Sequence, residues 1–128
     1  MSGNLFDTNA VIALQKAEPN FLELLNSDEE TFIPSIVIGE LYFGAYHSGR
    51  VVQNLADVAK IVSRFTVLTC DATTGKLYGF VKKQLLSKQR PIPENDIWIA
   101  AIAIQHHLLL LTRDQHFTTI NGLAVRHW

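Results

Sequence analysis

Residues 97–104, Ile-Trp-Ile-Ala-Ala-Ile-Ala-Ile, are apolar without a break and constrain the fold more than any other stretch of this chain. Pro91 and Pro93 hold the entry to this run extended, because a proline disfavours helical angles in the residue before it. Asn95 or Asp96 then stands ready to cap a helix, its side-chain oxygen accepting a backbone N–H that has no intrahelical partner. A helix with no polar face is buried, so the rest of the chain must wrap it. The run is far too short to span a bilayer. With 128 residues, 48% of them hydrophobic, the chain suits a single domain over residues 1–128 with one core.

The remaining pattern alternates between short apolar runs and helical periodicities. Residues 4–6 read as a strand that stops at Asp7-Thr8-Asn9, and a helix starts at Ala10. Pro19 breaks it, and Phe21, Leu22, Leu24 and Leu25 suggest a second short helix. Residues 31–33 form the next strand, closed by Pro34, with Ser35 as cap of a helix over 36–46 that ends at Ser48-Gly49. A long helix follows from Val51 to Val62, and residues 65–68 are the third strand. Asp71 caps a helix whose core stripe is Leu77, Phe80, Val81 and Leu85. The central helix occupies 95 to about 107, and 108–111 is a strand apolar on both faces, as in parallel sheets. Residues 123–125 close the chain as a short strand. Strands alternating with helices imply an α/β fold, a parallel sheet of about five strands between two helical layers.

Ligands bind beyond the carboxyl ends of the strands in such a sheet. Asp7 follows the first strand, Asp114 follows the 108–111 strand, and Glu40 lies about one turn into the helix that leaves the second strand. All three point to one edge. Asp96 enters its helix from a loop whose side the spacing leaves open. Each acid has a plain structural reading: Asp7 and Asp114 as turn residues, Asp96 as a helix cap, Glu40 on a solvated face. Glu40, however, is flanked by Ile36, Val37, Leu41, Tyr42 and Phe43, an odd setting for a solvated acid. Clustered carboxylates repel one another, and some stay protonated unless a cation compensates. Mg²⁺ or Mn²⁺ suits hard oxygen ligands of this kind, with Thr8, Asn9 and Thr112 as short polar residues that hold ligands or waters in place.

Four segments, Phe6-Asp7-Thr8-Asn9, Ile38-Gly39-Glu40-Leu41-Tyr42-Phe43-Gly44, Pro93-Glu94-Asn95-Asp96-Ile97-Trp98-Ile99-Ala100 and Leu111-Thr112-Arg113-Asp114-Gln115-His116-Phe117, together resemble those of PIN-domain proteins of the VapC toxin type. The resemblance covers essentially the whole chain and extends to the three-layer architecture. It implies a Mg²⁺- or Mn²⁺-dependent endoribonuclease, the toxin of a VapBC-type pair, with Asp7, Glu40, Asp96 and Asp114 as catalytic metal-binding acids. Asp7 and Asp96 would be the most direct ligands. It also implies a homodimer silenced by a small antitoxin whose C-terminal segment enters the active-site groove. Water attacking a phosphodiester would leave 5′-phosphate and 3′-hydroxyl ends.

Other features weigh less. The formal net charge of −1 does not advertise a nucleic-acid binder, so RNA contacts need a local basic patch. Arg113 is the best single candidate, and Lys82, Lys83, Lys88 and Arg90 either steer phosphates or form a solvated face. His106 and His107 suit a helix C-terminus, His116 reads as a loop bystander near Asp114, and Trp98 and Trp128 as packing residues. Tyr42, Phe43 and Tyr46 are candidates for a dimer or antitoxin surface. A lone cysteine, Cys70, and the absence of a charged-then-apolar leader lead us to expect a cytoplasmic protein with no membrane association. Two other classes stay in view. A silent binding module that sequesters antitoxin or RNA would have been expected to lose an acid. An aspartyl phosphatase or receiver-like domain usually wants a second acid two residues after the first, where this chain has Asn9.

Overall fold

A computed structural model describes residues 2–128. Five parallel strands form one sheet: β1 (Asn4–Phe6), β2 (Thr31–Pro34), β3 (Thr66–Leu68), β4 (Leu109–Leu111) and β5 (Val125–Arg126), in spatial order β3-β2-β1-β4-β5. Helices α1 (Thr8–Gln15), α2 (Pro19–Leu22), α3 (Ser35–Tyr46), α4 (Val51–Val62), α5 (Ala72–Ser87) and α6 (Glu94–Gln105) flank it, giving the expected three layers. A 3₁₀ turn, Gln115–Thr119, follows β4. Among the described residues no helix is long and apolar enough to cross a membrane.

The core explains the element order. β1 is central in the sheet and all three of its residues are buried. Phe6 meets Phe21 and Phe65 edge to face, both at 5.3 Å between ring centroids, and Phe21 meets Trp128 at 4.8 Å. These contacts tie β1 to α2, to the entry of β3 and to residue 128. In α6 the residues Ile97, Ile99, Ala100, Ala101, Ile102 and Ala103 are all buried, as expected of a helix apolar on every side. The α5 stripe is shifted, however: Val81 and Leu85 are buried, but Phe80 is 62% exposed and Thr74 is buried instead. Position 80 lies one residue off the inward line that Thr74, Val81 and Leu85 define, so the helix turns it outward.

Helix ends differ from expectation in an informative way. Asp71 caps α5 through a reciprocal capping box with Thr74. Ser35 is not a cap but the first helical residue after Pro34. Neither Asn95 nor Asp96 caps α6: the helix begins at Glu94, and the Pro93 carbonyl accepts the N–H groups of Asp96 and Ile97 at 3.0 and 3.2 Å. The proline fixes an extended entry, so the helix starts one residue after it.

Three helices close on a left-handed residue that is not glycine. Ala17, Gln89 and His107 have φ of 51°, 56° and 54°, the left-handed region. Each is the residue beyond a C-cap, and each sits in a paired Schellman arrangement. After α6, the N–H of Leu108 bonds to Ala103 O at 2.9 Å and that of His107 to Ile104 O at 3.3 Å. This turn reverses the chain directly from α6 into β4. A helix of 12 residues is about 18 Å long, so the reversal carries the start of α6 back to the carboxyl edge of the sheet. The side on which Asp96 lies follows from this turn.

Candidate functional site

At the carboxyl edge an open cleft of about 490 Å³ is lined by Asp7, Thr8, Asn9, Glu40, Pro93, Glu94, Asn95, Asp96 and Asp114. The strands deliver two of the acids and the helices the others. Asp7 follows β1 directly and caps α1, its Oδ1 accepting the Ala10 N–H at 2.8 Å. Asp114 lies three residues beyond β4. Its N–H donates to Thr112 Oγ1 at 3.0 Å, and its carbonyl accepts from His127 Nε2 at 3.1 Å. Glu40 comes from the middle of α3 and Asp96 from the first turn of α6.

Burial sets the electrostatics. Asp7 is only 4% exposed, and burial is the main cause that lifts its pKa to about 6. The hydroxyl of the fully buried Thr112 and the Ala10 N–H oppose that rise, while Asp114 and Asp96 add to it. Thr112 thus braces two acids, facing Asp7 while accepting the Asp114 N–H. Asp96 is also raised, first by burial and then by Asp114, with His116 pulling it down. Burial raises Glu40 as well; Asp96 adds to this, and the nearby Thr8 hydroxyl opposes it. That hydroxyl is near rather than bonded. Thr8 Oγ1 and Glu40 Oε1 are both buried without a hydrogen-bond partner of good geometry.

An unpartnered buried oxygen is costly, and three raised carboxyls share one cleft with Asp114. Among the described residues no Lys or Arg lines this cleft. Oxygen donors in this number, raised by burial and mutual repulsion, match what a hard divalent cation requires.

His116 is the residue whose position sequence reasoning undervalued. Its Nε2 lies 3.0 Å from Asp96 Oδ2, and one ligand atom each from Asp96, Asp114 and His116 fall within 4.8 Å of one another. The only local signal was its place two residues after Asp114. Glu94 also lines the cleft, held by the Tyr78 hydroxyl and by Lys82 Nζ at 2.7 Å. Lys82 therefore stands at the rim. Lys88 instead bonds Thr119 O and Asn121 Oδ1 at 3.0 and 3.1 Å, and Lys83 and Arg90 are exposed and do not line the cleft. Arg113 is turned elsewhere: its guanidinium bonds both carboxylate oxygens of Glu18 at 3.1 and 2.9 Å and lies 4.8 Å over the Trp128 ring. Successive residues in extended backbone point to opposite sides, so while Asp114 faces the cleft its neighbour faces away.

Comparison with known proteins adds a second kind of observation. The model of the PIN domain family matches residues 5–123. A ribonuclease VapC2 of Haemophilus influenzae is 32% identical over 129 residues, covering 97% of this chain and 96% of the relative. A tRNA(fMet)-specific endonuclease VapC of Shigella flexneri is 31% identical over 127 residues, with the same coverage of 97% and 96%. Among solved structures, VapBC2 from Rickettsia felis, crystallised with a DNA fragment from its promoter, superposes with a TM-score of 0.89 at 29% identity. That match covers 100% of this chain and 99% of the other.

Proposed function

The chain belongs to the PIN-domain family, and from that premise we propose that it is an endoribonuclease, the toxin of a toxin–antitoxin pair. The observation that carries the reading is the convergence of Asp7, Glu40, Asp96 and Asp114 from four separate segments on one cleft. Residues 1–128 act as one domain in this reading. RNA is the substrate, and a small antitoxin and a second copy of the chain are the partners. Phe43 and Tyr46 on α3 are 69% and 66% exposed; they support these partnerships by offering apolar surface on the same helix that carries Glu40 to the cleft.

Asp7, Glu40, Asp96 and Asp114 would hold Mg²⁺ or Mn²⁺, and the buried Glu40 Oε1 without a partner fits that role. A cation of this kind polarises a phosphoryl oxygen and lowers the pKa of a water. The chain's own residues do the rest. Thr112 and the Ala10 N–H fix Asp7, and Thr8 and Asn9 line the cleft with polar groups that would hold water. Lys82 at the rim meets the RNA backbone by releasing Glu94. Hydrolysis joins the water oxygen to phosphorus and breaks the bond to O3′, which takes the proton. The products carry 5′-phosphate and 3′-hydroxyl ends.

The test is to induce the wild-type chain and Asp96→Asn, without antitoxin, in a bacterial host and to map new RNA 5′ ends. Asn keeps the shape and removes the anionic ligand. Discrete new 5′-phosphate ends from wild type alone are expected, with at least a roughly hundredfold loss in the variant, the scale on which positioned catalytic groups act. Equal cutting by both proteins, or 2′,3′-cyclic phosphate ends, overturns the reading.

A further inference from the structure

Among the described residues no backbone N–H holds the Asp96 carboxylate. It is the third residue of α6, from which a carboxylate can reach back to the N–H of the N-cap residue, but Pro93 has no N–H to offer. Here the Pro93 carbonyl has taken the N–H groups of Asp96 and Ile97, and no side-chain cap forms. The contact that does hold the carboxylate comes from 20 residues further on, where His116 Nε2 lies 3.0 Å from Oδ2. The imidazole is itself delivered by a fixed element. Its neighbour Phe117 is fully buried, and the Thr119 hydroxyl donates to the His116 carbonyl at 2.9 Å, closing the 3₁₀ turn.

We propose that His116 is a positioning residue: its Nε2–H holds Asp96 Oδ2 so that the carboxylate meets a divalent cation already oriented. The inference rests on the proposed function and names the group that makes its cation site ready. Hydrogen bonds to ligating side chains fix their direction, and losing one typically costs 10–100-fold in metal affinity. The rival role for this ring is direct ligation, since its nitrogen shares a 4.8 Å cluster with Asp96 and Asp114. The 3.0 Å contact between Nε2 and Oδ2 is what fits the first role. Nε2 is the nitrogen that faces the carboxylate, and in the proposed role it carries the proton and donates it to Oδ2. A protonated ring nitrogen has no lone pair for a metal.

The experiment is calorimetric titration of the purified chain with MnCl₂, comparing wild type with His116→Ala, His116→Phe and His116→Gln. Phe keeps the ring volume without the donor, and Gln restores a donor of similar reach. Ala and Phe are expected to weaken Mn²⁺ binding by about tenfold or more, and Gln to recover most of the loss. In RNA cleavage, the Mn²⁺ concentration for half-maximal rate should rise in step while kcat at saturating Mn²⁺ stays near wild type. Pulsed electron paramagnetic resonance of the wild-type Mn²⁺ complex should show no directly bound nitrogen. Unchanged affinity in both Ala and Phe variants, or a bound nitrogen that disappears with them, overturns the proposal. A wild-type chain that takes up no Mn²⁺ overturns the proposed function itself, a result distinct from either of these.

Discussion

Asp7 shows what a buried acid costs before any cation arrives. Its pKa is lifted from 3.8 to about 6, so the folded state holds this proton more tightly than the unfolded chain. The resulting stabilisation is complete below about pH 4 and is lost as pH rises through about 6. Glu40 and Asp96 are raised too and act with the same sign. Cation-free protein is therefore expected to unfold at lower urea concentration at about pH 7 than at about pH 5. Asp7→Asn keeps an oxygen for the Ala10 N–H and removes the ionisation, so it should flatten the profile. At about pH 7 it should stabilise the cation-free chain by up to about 3 kcal/mol, from 1.36 kcal/mol per pKa unit. A variant no more stable than wild type under those conditions would contradict the assignment. Asp7 and Asp114 were legible in the sequence because strand ends at one edge of a parallel sheet are local signals. The roles of His116 and Arg113 were not. The His116–Asp96 contact spans 20 residues and the Arg113–Glu18 pair 95, and no local pattern encodes either.

Among the elements, the helix termini hold the clearest departures from expectation. Glycine normally marks a left-handed residue after a C-cap, and Ala17, Gln89 and His107 gave no such mark. The end of α6 was accordingly read about two residues late, and the side on which Asp96 enters stayed open. The same three positions lead to a stability prediction. A non-glycine residue in the left-handed region is strained, and glycine there loses more entropy on folding but removes the strain. Replacing Gln89 or His107 by Gly should raise stability by about 0.5–1 kcal/mol each, measured by chemical denaturation. The cap of α5 was readable because Asp71 and Thr74 form a motif within three residues. The burial of α6 was readable because its apolar run leaves no other choice.

For the whole molecule, the proposed function makes the carboxylate cleft a link between folding and cation binding. A ligand held only by the folded state stabilises it by mass action. At a free concentration of about 100 times Kd the gain is about 2.7 kcal/mol, on the order of 8–10 °C in melting temperature for a chain of this size. Mg²⁺ or Mn²⁺ is therefore expected to raise the melting temperature of wild type by several degrees, and that of Asp96→Asn by clearly less. Equal shifts in the two proteins would place the cation elsewhere. The alternation of strands and helices made the layers legible from the start, because each apolar run had one way to be covered. The spatial order of the strands, with β1 between β2 and β4, depends on pairings between distant segments.

The acids of the cleft sit at positions 7, 40, 96 and 114, and this spread has a consequence for timing. A ribosome making this protein produces a chain that lacks Asp114 until nearly all of the sheet has been synthesised, and the strand that precedes that acid pairs with β1. On the proposed function, a nascent chain is expected to leave RNA uncut, and so is a proteolytic fragment from either half. In that reading the capacity to cut RNA arrives in one step, when the last acid is docked beside the first.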